Sequence, residues 1–427
     1  MTIVLSVFAA LLVIGMPIGL VMIISALAGV SALGGYSQIS ILAYQFYAGI
    51  SDYVLVAIPF FILTAELMNR SRLTDRLVAF STSLFGSVPG ALSHVNIMVS
   101  MLFAGITGAA VTDAIAIGKT LIPSMKREGY GAAYCAAVTA SGSIIGPIIP
   151  PSIVMIVYAT SLQNVSVTSL FAAGVVPGLL MGVSLLVVSS WISIRRKYPR
   201  HEPIKVSRIF KTGFQAAPTL LIPIIILGGI LSGITTVTDA SVLGAFMALI
   251  LGVFVYKTLT WRDVWQSLIA TISFSGVVFL LLGAAALLGW FITRSGLAAE
   301  SAEFISTLSS HKLIQMIIVV VFLIILGMFI DVIPAVVVAG PVLVPALISI
   351  GFDPLHVAMV AILALNVGNL TPPVGMSLMT TAKISNVSYE SAIREVIPFI
   401  VSQIGIVLLV CWLPEIVLWL PRTLGMN

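Results

Sequence analysis

Long stretches of this chain are almost free of charge, and its polar positions fall in short clusters between them. Thr2 to Gly34 holds no charged residue. The apolar runs that follow in the first half are Ile39–Met68, Val88–Pro123, Tyr130–Thr160 and Val167–Ile194. The second half carries Gly213–Gly233, Val237–Tyr256, Val264–Thr293, Leu313–Ile350, Pro354–Ala382 and Ser391–Leu420. A bilayer span needs about 20 apolar residues, and in lipid the backbone must satisfy its own hydrogen bonds, so the pattern predicts helices throughout. The first 34 residues read as one span or a kinked pair, and without a basic head they do not read as a cleaved signal peptide. Two runs are too long for one span. Val88–Pro123 is broken by Gly105, Gly108 and Gly118, and Leu313–Ile350 by Gly327, Asp331, Pro334, Gly340, Pro341 and Pro345. Both read as re-entrant hairpins. Two others are interrupted in the middle, by GSIIGPIIPPS (Gly142–Ser152) and NVGNLTPPVG (Asn366–Gly375).

The interruptions recur. At a fixed spacing of 222 residues, Leu121-Ile122-Pro123 pairs with Leu343-Val344-Pro345, and Gly105, Gly118, Gly129 and Gly146 pair with Gly327, Gly340, Gly351 and Gly368. Pro150-Pro151 pairs with Pro372-Pro373, and Asn164-Val165-Ser166 with Asn386-Val387-Ser388. Upstream, Arg70-Ser71 pairs with Arg294-Ser295 at a spacing of 224. If hairpins do not cross, five crossings separate Arg70 from Arg294, an odd number, so the halves are inverted. The positive-inside rule agrees. Arg195–Lys211, with seven basic residues and one acid, is placed in the cytoplasm, together with Arg70–Arg76, Lys126-Arg127, Lys257–Arg262 and Lys383–Arg394, while Arg294 and Lys312 fall outside. An inverted repeat with a hairpin and a broken helix in each half is a secondary-transporter architecture.

Composition sharpens the class. Of 427 residues, 59% are hydrophobic and 8% charged, against about 25% charged in soluble domains. A mean hydropathy of +1.18 excludes both a soluble fold and disorder. The net charge of +5 comes from loops and is no footprint of nucleic-acid binding. Cys135, Cys411 and four scattered histidines have no metal-ligand spacing, and the histidines read as loop or flank residues. No nucleophile–base set lies at membrane depth, so an enzyme is not expected. Gly118-Lys119-Thr120 mimics the end of a phosphate loop, but the required earlier glycine is Asp113.

The breaks carry the chemistry. An unwound helix at membrane depth exposes carbonyls that hold a cation and N–H groups that hold an anion. Candidate cation and substrate ligands are Gly105, Thr107, Gly108, Thr112 and Asp113 at the first hairpin, with Ser141, Gly142, Ser143 and Gly146 at the first break. In the second half they are Gly327 and Asp331 at the hairpin, with Asn366, Gly368, Asn369 and Thr371 at the break. Hard cations favour such oxygen donors, and a carboxylate inside an apolar run, as at Asp331, is costly enough to need a role. Asp113 also reads as a helix cap, and the threonines as donors to their own helices. Glu66 reads as a structural or subunit-interface pairing.

The stretches AIPFFILTAELMNRS (57–71), PGALSHVNIMVSMLFAGITGAAVTDAIAIGKTLIPSMKREGY (89–130), GPIIPPSI (146–153), GMFID (327–331) and LTPPVG (370–375) resemble, essentially end to end, the large membrane subunit of TRAP (tripartite ATP-independent periplasmic) transporters. The resemblance implies an all-α polytopic inverted-repeat protein of the elevator type, with two re-entrant hairpins and two broken helices. Residues 1–87 and 213–312 would be scaffold helices, 88–194 and 313–427 the two halves of the transport domain, and 195–212 a cytoplasmic loop. It implies sodium-driven import of an organic acid such as a C4-dicarboxylate or sialic acid, two or more Na⁺ as coupling ions, and no other cofactor. The implied partners are a small four-helix membrane subunit and a periplasmic binding protein, in the bacterial inner membrane. A self-sufficient symporter or antiporter of similar architecture is the alternative. The family also carries an aspartate at Asp331. Two positions depart from its pattern: Ala109 lacks the hydroxyl common at the first hairpin tip, and Ser377 replaces a side-chain amide.

Overall fold

A computed structural model describes residues 2–32, 39–71, 73–200 and 206–426; the side chains of residues 2, 31, 32, 39, 74, 106 and 107, and so the hydroxyl of Thr107, lie outside the described set. Every element among the described residues is helical. Eight helical segments are long and apolar enough to cross a membrane: Tyr53–Arg70, Val167–Arg195, Val206–Leu231, Val237–Val255, Trp261–Ser295, Lys312–Phe329, Val332–Ser349 and Tyr389–Trp412. Length therefore allows each arm of the second hairpin to span, although the sequence reads the pair as re-entrant.

The N-terminal run is a pair, α1 (Thr2–Val13) and α2 (Ile18–Ala32), turned at Gly15, whose φ is +83°. Ile39–Met68 is also two helices, α3 (Ile39–Ile50) and α4 (Ala57–Arg70). Between them Asp52 accepts the Val54 N–H at 2.9 Å and starts a 3₁₀ turn. Next come α5 (Leu73–Phe85), the hairpin α6 (Ala91–Thr107) and α7 (Ala110–Arg127), α8 (Ala132–Ser143), α9 (Ile153–Leu162) and α10 (Val167–Arg195). The second half has α11 (Val206–Leu231), α12 (Val237–Ile250), α13 (Trp261–Ser295), α14 (Leu297–Leu308), the hairpin α15 (Lys312–Phe329) and α16 (Val332–Ser349), α17 (Pro354–Leu370), α18 (Met376–Ser385), α19 (Tyr389–Trp412) and α20 (Glu415–Thr423). The expected single run Ser391–Leu420 thus divides at Leu413-Pro414, where proline cannot continue the ladder.

The repeat governs element boundaries. Shifted by 222 residues, the bounds of α7 are the bounds of α16, and the start of α10 is the start of α19. Both of those last helices are capped by a serine, Ser166 and Ser388, that accepts the N–H three residues on. Gly129 and Gly351 turn at φ +85° and +89°, and both Pro-Pro bonds, 150–151 and 372–373, are cis. The halves also exchange partners. α7 packs on α18, and α16 packs on α9. A Cβ on Gly118 would meet Ile384 Cδ1 at 3.3 Å, and one on Gly340 would meet Leu162 Cδ1 at 2.9 Å. These two contacts are the same contact in the two copies.

Side-chain hydrogen bonds between helices fall within two sets, although α5 packs as closely on α6 as on α11 and α14 packs mainly on α16. One set holds α1–α5 and α11–α14, the other α6–α10 and α15–α20. Within the first, Arg70 Nη1 donates to Gln266 Oε1 at 2.7 Å, the Ser83 and Thr212 hydroxyls meet at 2.9 Å, and Thr258 Oγ1 donates to Ser71 O at 2.8 Å. Within the second, Lys126 Nζ donates to Ser385 O at 2.9 Å, Ser385 Oγ to Ala132 O at 2.6 Å, and Gln403 Nε2 to Ser184 Oγ at 2.8 Å. Arg196 pairs with Glu395 at 2.8 Å in the same set. None of these bonds joins one set to the other. The sets meet through side-chain packing, as of α4 and α11 on α6 and of α13 and α14 on α16.

Candidate functional site

The first hairpin tip lies against the first break. Gly108 has φ +61°, and a Cβ there would come within 2.8 Å of Ile153 N and 3.1 Å of Pro151 O, so only glycine admits this approach. Gly105 faces Pro150 O at 3.4 Å by the same measure. Pro147–Ser152 unwinds the chain, and Ser152 closes the break by donating to Pro147 O at 2.6 Å while accepting the Met155 N–H. Asp113, fully buried in the first turn of α7, holds its carboxylate over Gly146, where an added Cβ would fall 2.2 Å from Asp113 Oδ2. Ser141 and Ser143 are fully buried at the end of α8 and donate to Ala137 O and Ala140 O. Each hydroxyl keeps acceptor lone pairs. Gly142 instead serves packing, since its Cβ would strike Ser100 Oγ on α6 at 2.5 Å.

The second break is shorter than the sequence indicates. α17 continues to Leu370, so Asn366, Gly368 and Asn369 stand in its last helical turns, and only 371–375 is unwound. Asp331 is the N-cap residue of α16. Asn369 Nδ2 donates to Asp331 Oδ1 at 2.7 Å, and Asn369 Oδ1 accepts the Ser377 N–H at 3.2 Å. This chain of bonds ties hairpin tip, broken helix and α18 together across the break. Gly375 N reaches back to Met328 O at 3.2 Å on the hairpin. Asn366 donates to Ile362 O at 2.8 Å, and among the described residues its buried carbonyl oxygen has no partner. A buried oxygen of that kind suits a cation. Thr371 Oγ1 donates to Val367 O at 2.6 Å. Gly327 and Gly368 let α15 and α17 touch backbone to backbone, since a Cβ on either would lie 2.5 or 2.4 Å from a carbonyl oxygen of the other helix.

The candidate residues thus form two clusters, one per repeat. Thr112 belongs to neither: it lines a cavity of about 380 Å³ between the two sets, opposite Glu66. Glu66 is paired with Arg70 at 3.4 Å within α4, as its structural reading requires. Ser377, read from the sequence only as a missing amide, is a working member of the second cluster. Ser152 is absent from the sequence-derived set; its place directly after a double proline and at a helix start is the signal that identifies it. The histidine reading needs correction. His94 is buried between Gly90 O at 3.0 Å and Ser190 Oγ at 2.7 Å, and His356 bonds Val410 O at 2.9 Å, so both join helices. Among the described residues no group of three His, Cys, Asp or Glu side chains gathers for a metal.

Comparison with known proteins gives the family. The family model described as "Tripartite ATP-independent periplasmic transporter, DctM component" matches residues 5–416. The chain is similar to the sialic acid TRAP transporter large permease protein SiaM of Vibrio cholerae, 37% identical over 412 residues covering 96% of each chain. It is similar also to the C4-dicarboxylate TRAP transporter large permease protein DctM of Rhodobacter capsulatus, 30% identical over 433 residues and 98% of each. In fold alone it is similar to the YdaH transporter of Alcanivorax borkumensis, with a TM-score of 0.63 at 15% identity over 90% of this chain and 88% of that one.

Proposed function

This chain belongs to the DctM component family of tripartite ATP-independent periplasmic transporters, multi-pass permease subunits rather than enzymes, and on that premise we propose that it is the translocating subunit of a sodium-coupled importer of an organic acid anion. Sialic acid and a C4-dicarboxylate, the cargoes named for two relatives, set the substrate class. A periplasmic binding protein delivers the anion, and a small four-helix membrane subunit braces the scaffold in the bacterial inner membrane.

The observation that carries this reading is that each repeat brings a hairpin tip onto a broken helix and gathers buried oxygens there. Na⁺ is held by the carbonyls and hydroxyls of the two clusters, with the Asn366 carbonyl oxygen as one ligand. The hairpins α6–α7 and α15–α16 are re-entrant, and the repeats are inverted about an axis in the membrane plane. The hydrogen-bonded set α6–α10 with α15–α20 moves as one body against α1–α5 with α11–α14, carrying both clusters across the bilayer. That motion breaks apolar contacts that reform on arrival and none of the hydrogen bonds described above. Two Na⁺ moving with a monocarboxylate carry one net charge inward, worth about 2.3 kcal/mol per 100 mV.

Proteoliposomes holding this chain, its small subunit and an inward Na⁺ gradient should take up labelled sialic acid or succinate only when the binding protein is present. Equal uptake on a proton gradient alone refutes the coupling ion, and uptake by this chain unaided refutes the partnership.

A further inference from the structure

Among the positions where the two repeats differ in charge is one pair upstream of the hairpins. Arg70 and Arg294 are equivalent at a spacing of 224 residues, and so are Glu66 and Trp290. In the first copy the guanidinium is neutralised by Glu66 one turn away and bonded to Gln266. In the second, a tryptophan takes the place of the acid, and Arg294 lies over the Trp290 ring at 5.2 Å. Among the described residues Arg294 has no ion-pair partner. It lines a cavity of about 580 Å³ between α3, α13, α9 and α16, at the boundary of the two sets. Gln45, Gln163 and Ser161 line it as well, and among the described residues the buried Ser161 hydroxyl has no partner. The other charged lining residue, Asp52, accepts the Val54 N–H.

We infer that this cavity is a carboxylate subsite separate from both break clusters, with Arg294 as its anion anchor. Its walls touch α16 at Pro341 and Pro345, and Pro341 stands ten residues beyond Asp331, roughly 15 Å along the helix. A guanidinium binds a carboxylate through paired N–H donors, and amide and hydroxyl groups recognise hydroxyls beside it. A second carboxylate on the ligand would share the cavity with the Asp52 side chain. The site therefore takes a hydroxylated monocarboxylate of sugar-acid type in preference to a bare dicarboxylate, and a volume of this order holds such a molecule. The identity of the occupant as cargo rests on the organic-anion reading above.

The test reads the site without transport. The whole chain is placed in phosphatidylcholine nanodiscs, and the emission of Trp290 is isolated by difference against Trp290→Phe. Iodide, an anionic quencher, should quench Trp290 about threefold or more beyond neutral acrylamide, because an unpaired cation concentrates anions. Arg294→Gln should remove that excess, Arg294→Lys should keep most of it, and Arg70→Gln should leave it intact. N-acetylneuraminate should protect against iodide more strongly than succinate, and the uncharged N-acetylmannosamine should not protect. Unchanged iodide quenching in Arg294→Gln overturns the inference, as does equal protection by the neutral sugar or by succinate. Loss of the excess on adding phosphatidylglycerol, with no displacement by the sugar acid, makes the occupant a lipid headgroup and overturns it too. Quenching and protection as expected, in a chain that transports nothing under a Na⁺ gradient even with its small subunit and binding protein, would sink only the transport reading.

Discussion

At the scale of single residues, the clusters turn on a few contacts that have no substitute. Asp331 receives an amide donor from Asn369, and losing the partner of a buried polar group costs about 1–3 kcal/mol. Asp331→Asn should therefore lower proteoliposome uptake about tenfold or more while leaving expression near normal; unchanged uptake removes Asp331 from the mechanism. Ser377→Ala removes a hydroxyl 3.4 Å from Asn369 Oδ1 but keeps the backbone donor at 3.2 Å, so its effect should be much smaller. Glycine contacts predict the opposite balance. In Gly368→Ala the new methyl would sit 2.4 Å from Ile324 O, and backbone cannot yield as a side chain does. The cost of such overpacking is about 1–3 kcal/mol, to be read as a drop in melting temperature. Gly405→Ala, with nothing within 4 Å, is the matched control and should melt like the parent.

At the scale of elements, what was legible followed the repeat. The positions of both hairpins and of both double prolines could be read from matched glycines and prolines, but not the extent of the second break. The short helices α5 and α14 could not. They occupy matching places after Arg70 and Arg294 but are too short and too charged to register as spans. Their sign is weaker: Leu73, Leu77 and Ser81 recur every fourth residue on one buried face. The division of Ile39–Met68 was missed because Asp52 was not recognised as a cap, and the length of α17 was misjudged because the asparagines before its double proline looked like loop residues. Neither error could be repaired from apolar run lengths, which do not register where a helix ladder ends. The start of α13 offers a test of local chemistry. Thr260 and Asp263 form a reciprocal cap: the Asp263 carboxylate accepts the Thr260 N–H at 3.0 Å, and the Thr260 hydroxyl accepts the Asp263 N–H at 3.3 Å. Thr260→Ala should therefore cost about 1 kcal/mol, read as a drop in melting temperature; an unchanged melting temperature would discount the cap.

At the scale of the molecule, the segregation of hydrogen bonds makes a prediction about movement. With Cys135 and Cys411 replaced by alanine, a disulfide between Lys126→Cys and Ser385→Cys lies inside one set and should leave substantial uptake. A bifunctional thiol cross-link between Ile62→Cys and Ile153→Cys, which line the same cavity from opposite sets, should stop it until the link is cleaved. Uptake that survives that link would argue against two bodies in relative motion. The exchange of partners between copies bears on biogenesis as well. Gly118 waits for Ile384, and Lys126 for Ser385, so α7 enters the bilayer more than 250 residues before the helix that covers it is synthesised. At ribosomal speeds that is a delay on the order of 10 to 50 s. For that time the nascent first half holds a charged, glycine-lined face with nothing against it, and it must be sheltered by the insertion machinery or lost to membrane proteases.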